Sequence, residues 1–188
     1  MRIRFLLFLV VGAAVLTAGC SSTFLPPEKL TDELLRLNAA NTRQLGFNIQ
    51  PASERSTQLG YQYLLVFLPF GRIYAMQPEE SLQRAAYRGL GLRGFKLVSC
   101  NSRANHACLN LELISIRQNA YDLLATRRIV TEATVEATYQ NPARHINHSI
   151  KLQCRATDYA RYAFTSELKQ QLGHCFEDLI NQVMETFF

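Results

Sequence analysis

Cysteine and histidine are the residue types in this chain best suited to covalent or metal chemistry. They are Cys20, Cys100, Cys108, Cys154 and Cys175, with His106, His145, His148 and His174. A metal needs several donors converging on one point. His145-x-x-His148 falls on or near a strand, where side chains three residues apart leave opposite faces, so no metal site is expected. A nucleophilic thiolate needs an electropositive, accessible setting, and four cysteines that can be paired structurally argue against one. Gly89-Leu-Gly-Leu-Arg-Gly94 has the glycine content of a phosphate loop. It sits at the end of a helical pattern instead of between a strand and a helix start, and so reads as helix termination. Glu132 and Glu136 share one face of a strand with no acid identifiable opposite them, which gives no general acid–base pair. Arg127-Arg128 stands at a strand entrance, either solvated or touching a headgroup or an acidic partner. No catalytic residue and no cofactor are expected.

The amino terminus carries a different chemistry. Arg2 and Arg4 precede an apolar run of 12 residues, Phe5 to Leu16, and Leu16-Thr17-Ala18-Gly19-Cys20 narrows to small residues before the cysteine. As a helix the run spans roughly 18 Å, short of the roughly 30 Å of a bilayer core. That length fits an export signal better than a permanent span. The small residues before Cys20 resemble a bacterial lipobox. The resemblance implies that residues 1–19 are cleaved as a signal peptide. It also implies that the Cys20 thiol receives diacylglycerol and the new amine a palmitate-type acyl chain. Ser21 then resembles the residue following the lipidated cysteine in lipoproteins sent to the outer membrane. Each buried methylene contributes about 0.8 kcal/mol, so one chain holds marginally and two or more hold stably. The alternative is an ordinary secretory signal with a chance cysteine.

Loss of Arg2 and Arg4 leaves 18 basic against 15 acidic residues, a net charge of +3. That mild excess permits contact with anionic headgroups or polysaccharide. The chain has no basic run interleaved with aromatics, so nucleic acid is excluded as a partner. The remaining length can bury a core of its own. Four cysteines in an exported domain suggest disulfides, with three connectivities open.

The elements that must position these residues follow from periodicity. Ser21 to Pro27 reads as a tether. Thr31-Asp32-Glu33 caps a short helix to about Ala40, and 41–60 reads as a polar loop. Tyr61–Leu68 (YQYLLVFL) reads as a buried strand ended by Pro69. Pro78-Glu79-Glu80 opens a helix to about Leu92, capped by Gly94, and Phe95–Ser99 is a strand. This strand–helix–strand unit predicts a right-handed parallel crossover. Leu109, Leu111 and Leu113 alternate with polar residues, and the phase slips at Ile114, predicting a bulge. A turn is expected at Asn119–Asp122, then long one-faced strands over Ile129–Tyr139 and Ile150–Thr157. From about Thr165, Leu168, Leu172, Cys175, Phe176, Leu179, Val183 and Phe187 form one helical stripe.

Position favours Cys100–Cys108, which would pin the loop between neighbouring strands. It also favours Cys154–Cys175, which share a buried strand face and a buried helix face. Two buried free thiols are the alternative to the second pair.

The expected fold is α+β: a mostly antiparallel sheet of four to five strands with two amphipathic helices on one face, in the order β-α-β-β-β-β-α after a short helix. Residues 20–60 form the lipidated tether, helix and loop, and 61–188 the globular domain. Phe67-Leu68-Pro69-Phe70 and Phe187-Phe188 are either contact surfaces or core. Phe67, Phe70, Arg127 and Arg128 are the candidate partner-binding residues.

The lipobox, the strand ending near Pro69, the helix Ser81-Leu82-Gln83-Arg84-Ala85-Ala86 to Gly94-Phe95, the alternating strands and the final helix together resemble small Gram-negative envelope lipoproteins. That group spans YajG-type lipoproteins, auxiliary lipoproteins of lipid-transport ABC systems and the lipopolysaccharide-assembly lipoprotein. The resemblance implies a non-enzymatic lipoprotein of the outer membrane, facing the periplasm. It would support assembly or transport of envelope components through tethered binding to a protein or glycolipid partner. The alternatives are an envelope enzyme with a Cys/His site and a stand-alone lipid- or polysaccharide-binding module.

Overall fold

The computed structural model describes residues 21–50, 58–64, 66–100, 106–123, 126–160 and 164–188. The expected signal segment 1–19 and the expected lipidation site Cys20 lie outside the described residues. In chain order the elements are β1 (Ser21–Leu25), α1 (Asp32–Ala40), β2 (Arg43–Gln50), β3 (Gln58–Leu64), β4 (Leu68–Ala75), α2 (Pro78–Leu92), β5 (Phe95–Ser99), β6 (Cys108–Asp122), β7 (Arg127–Asn141), β8 (Ile146–Ala160) and α3 (Phe164–Phe187).

The backbone of the fold is an antiparallel meander of three 15-residue strands, β6, β7 and β8. Strict alternation puts Ile129, Thr131, Ala133, Val135 and Ala137 of β7 on the buried side. On β6 the buried set Leu109, Leu111 and Leu113 would run out of phase with Gln118 and Ala120. The register shift between Leu113 and Ser115 restores it. This is the bulge that the phase slip at Ile114 predicts: one extra residue turns the rest of the strand over. The strand continues through Asn119–Asp122, where a turn was expected. The chain reverses beyond it, with Leu123 N–H donating to Thr126 O at 2.8 Å.

The other edge of β6 is divided. β2 pairs in parallel with its first part, Gly46↔Cys108 to Gln50↔Glu112, and β3 in parallel with its last, Gln62↔Ala120 to Leu64↔Asp122. β5 lies parallel beyond β2. Beyond β3 come antiparallel β4 and then β1, parallel to β4. The α+β class holds, with three helices and one mixed sheet of eight strands among the described residues. That is larger and less antiparallel than the four to five strands expected.

The three additional strands each correct an expectation. Ser21–Leu25 is an edge strand and not a tether. Arg43–Gln50 is a strand and not a loop: Leu45 and Phe47 alternate inward, but Arg43, Gln44, Asn48 and Gln50 mask them. Leu68–Ala75 is a strand that begins across the proline expected to end one. Pro69 lies beside a register shift between Gln62 and Tyr63, a place where a strand tolerates a missing N–H. The expected simple crossover is therefore replaced. α2 leaves from β4, which runs opposite to β5, and not from the strand Tyr61–Leu68.

α2 and α3 cover one face of the sheet. Leu168, Leu172, Cys175, Phe176, Leu179, Ile180, Val183 and Met184 are buried along α3, and Leu82, Ala85, Ala86 and Leu90 along α2. Each fully buried Leu or Phe contributes about 1.5–3 kcal/mol. The two helices approach closely at Gly89, where an added Cβ would meet Ile180 Cγ2 at 2.7 Å. Gly94 ends α2 at φ 84°, the left-handed conformation that glycine adopts without strain. Gln118, fully buried, donates Nε2 to Thr131 Oγ1 at 2.9 Å and to Leu168 O at 2.8 Å, tying β6 and β7 to the start of α3.

The edge strand β5 is closed by α1. Thr31 caps that helix, and Asn38 accepts from Leu97 N–H at 2.6 Å and donates to Leu97 O at 3.1 Å. Covering an exposed edge in this way removes a template for unwanted strand pairing. Two disulfides cross-link the fold, one within the sheet and one between sheet and helix. Cys100–Cys108 joins the end of β5 to the start of β6, and Cys154–Cys175 joins β8 to α3, with Cα atoms 5.7 and 5.6 Å apart.

Candidate binding surface

The face of the sheet turned away from α2 and α3 presents the even-numbered residues of β7 and the odd-numbered residues of β8. Register aligns them into rows. Tyr63, Tyr121, Arg128 and Tyr159 follow one another across β3, β6, β7 and β8. Two residues along each long strand, Asn119, Val130 and Thr157 form the next row, and two further on come Arg117, Glu132 and Arg155. Between these rows lies a cleft of about 510 Å³, walled at one end by Val66 and Leu123 and along its length by Tyr121, Arg128, Arg155 and Tyr159. A second basin of about 660 Å³ shares Arg117, Glu132 and Arg155 with it, so the two form one groove running along the strands.

The groove is aromatic at one end and charged in the middle. Tyr63 and Tyr121 stack with ring centroids 5.0 Å apart, and Tyr159 is 62% exposed. Arg155 meets Glu132 at 3.3 Å, and Arg128 is exposed. On the neighbouring strands Phe24 stacks on Tyr74 at 5.1 Å. A hydrogen bond to Tyr74, with electrostatic interaction with Tyr74 and Tyr61, raises the Arg72 pKa above its ordinary value. Guanidinium groups beside flat, half-exposed rings suit ligands that combine an anionic group with an apolar or ring-shaped body.

The four residues expected to bind a partner are not brought together. Phe67 stands at the tip of the β3–β4 hairpin, 70% exposed, while Phe70 is half-buried on β4. Arg127 and Arg128 alternate to opposite faces. Arg128 enters the groove, and Arg127 Nε donates to Asp122 Oδ2 at 3.4 Å. Phe187 and Phe188 pack on Tyr139, and Phe188 also on Phe95. Tyr121, Tyr159, Arg117 and Arg155 were missed as site residues. Their signal was parity: each has the phase of the polar side of its strand.

The histidines stay apart. His145 occupies a turn at φ 55°, and His148 lies edge-on to Phe187 with centroids 5.8 Å apart. Among the described residues no group of three His, Cys, Asp or Glu side chains is placed to hold a metal ion. Cys100, Cys108, Cys154 and Cys175 are all in disulfides. No helix of the described residues is long and apolar enough to cross a membrane.

No family model and no curated protein sequence matches the chain. Among solved structures it is similar to an uncharacterized protein at TM-score 0.51 and 8% identity, over 89% of this chain and 99% of that one. A minor lipoprotein of Acinetobacter baumannii aligns at TM-score 0.40 and 12% identity, over 76% of this chain and 88% of that one. A lipoprotein of Neisseria meningitidis aligns at TM-score 0.36 and 9% identity, over 77% and 99%. Of these three, the first alone supports a shared fold, and at its identity it speaks for the fold alone.

Proposed function

We propose that this chain is a non-enzymatic lipoprotein of the bacterial outer membrane, held by acyl chains on Cys20 and facing the periplasm. Its open sheet face binds a protein or glycolipid partner in the assembly or transport of envelope components. The observation that carries the reading is the row Tyr63–Tyr121–Arg128–Tyr159 above an uncovered groove. The aromatic walls and guanidinium groups of the groove support binding of a ligand that joins an anionic group to an apolar body. Two disulfides in the domain suit the oxidising side of a membrane. A Cys/His enzyme would need a free thiol, and the domain's four cysteines are bonded.

Photo-crosslinking in intact bacteria tests the reading. A crosslinking residue is placed at Tyr159 or Arg155 in the groove, and in a control at Lys169, on α3 over the opposite face. The reading expects one defined protein or glycolipid adduct from the two groove positions and none from Lys169. Adducts from Lys169 alone would overturn it.

A further inference from the structure

The end of the sheet that carries the Tyr63 row is also the end at which the acylated cysteine would enter. Ser21, bonded directly to Cys20, already pairs with Gly71 as the first residue of β1. No tether is left between anchor and domain. The next element along the same end is the β3–β4 hairpin, whose described tip residues Leu64, Val66, Phe67 and Leu68 are all exposed, Phe67 at 70%. Gly71 lies four residues from Phe67, about 13 Å of extended strand. A lipid on Cys20 therefore brings that tip to within a headgroup layer's depth of the bilayer.

We infer that the β3–β4 hairpin is a second membrane contact: Val66, Phe67 and Leu68 enter the phospholipid interface beside the Cys20 acyl chains and hold the domain upright on one end. The inference rests on the proposed acylation. The surroundings of the tip match the chemistry of that layer. Exposed Arg72, on the strand that leaves the tip, can meet lipid phosphates, and the tip residues themselves carry no charge. Of the acids at this end, Asp122 is held by Arg127, and Asp158 accepts from Tyr159 N–H at 2.7 Å. An apolar tip of this size binds weakly alone. Joined to an anchor with no linker, its insertion becomes an intramolecular step at high effective concentration.

The chain contains no tryptophan, so one introduced indole is a clean reporter. The full acylated protein carrying Phe67→Trp is purified in mild detergent and reconstituted into vesicles of phosphatidylethanolamine and phosphatidylglycerol doped with bromine-labelled phosphatidylcholine. Leu68→Trp is read in parallel. Ile146→Trp reports on the turn between β7 and β8, at the opposite end of the sheet. The expected result is a blue-shifted, strongly quenched emission at the hairpin and an unshifted, unquenched one at position 146. Unquenched hairpin reporters, or equal quenching at both ends, would overturn the inference. Intact mass of the same samples separates the two levels. Missing acyl chains would remove the anchor reading. A protein without them would overturn the contact too, because the tip binds only weakly without the anchor; acylated protein with unquenched hairpin reporters overturns the contact alone.

Discussion

Removing the Cys154–Cys175 bond should cost the domain a calculable share of its stability. The bond closes a sequence separation of 21 residues, from the buried face of β8 to the buried stripe of α3. In the chain-entropy description a loop of that length restrains the unfolded state by about 3.3 kcal/mol at 25 °C. The separation of 8 closed by Cys100–Cys108 restrains it by about 2.5 kcal/mol. Both Cys154 and Cys175 are buried, so alanine at the two positions also leaves a small void and adds to the loss. For a domain of this size each kcal/mol moves Tm by about 2–4 °C. The variant Cys154→Ala/Cys175→Ala should therefore melt roughly 10 °C below the parent. Urea unfolding followed by circular dichroism gives the free energy directly, with unchanged m confirming that the native fold persists. The parent under a strong reductant should lose about 5.8 kcal/mol, the chain-entropy terms of both bonds together, without the void that alanine leaves. A Cys154→Ala/Cys175→Ala protein as stable as the parent would refute the reasoning.

Glycine exchanges should split by position. Gly60→Ala drives a Cβ into the Gln118 carbonyl oxygen and to 2.6 Å from Asn119 Oδ1, so β3 must shift from β6 at a cost of about 1–3 kcal/mol in urea unfolding. Gly173→Ala meets open space within α3 and should stabilise by about 0.5–1 kcal/mol in the same assay. Phe176→Ala, at a fully buried site, should cost about 3–5 kcal/mol, whereas Phe67→Ala should leave the urea midpoint unchanged. Asn38→Ala strips Leu97 of both side-chain hydrogen bonds, and about 1–3 kcal/mol should be lost with early hydrogen exchange in α1 and β5.

The long strands and the helices were legible because their periodicity is clean. β7 alternates without a break from Ile129 to Ala137, α3 repeats its apolar residues at three and four, and the slip at Ile114 announced the bulge. Cys154–Cys175 could be placed from the faces of those elements, whereas Cys100–Cys108 was placed from the loop it closes, and β2 in fact lies between the two strands it joins. The missed strands share a physical cause. β1 has only five residues at an edge, β2 is largely polar on its outward side, and β4 starts through Pro69, so each depends on a partner far away in sequence to become a strand. That is why the sheet read as four to five strands. The groove was hidden for a related reason. Tyr63, Tyr121, Arg128 and Tyr159 lie on four different strands, and only the registers between them make a row. Reading Arg127-Arg128 as a unit overlooked that neighbours on a strand leave opposite faces.

The most direct test of the whole account is the intact mass of the protein purified from its native membrane. The account predicts a chain beginning at Cys20 and heavier than residues 20–188 by a diacylglycerol and an acyl group. A mature chain without added lipid, or one still carrying residues 1–19, would contradict it.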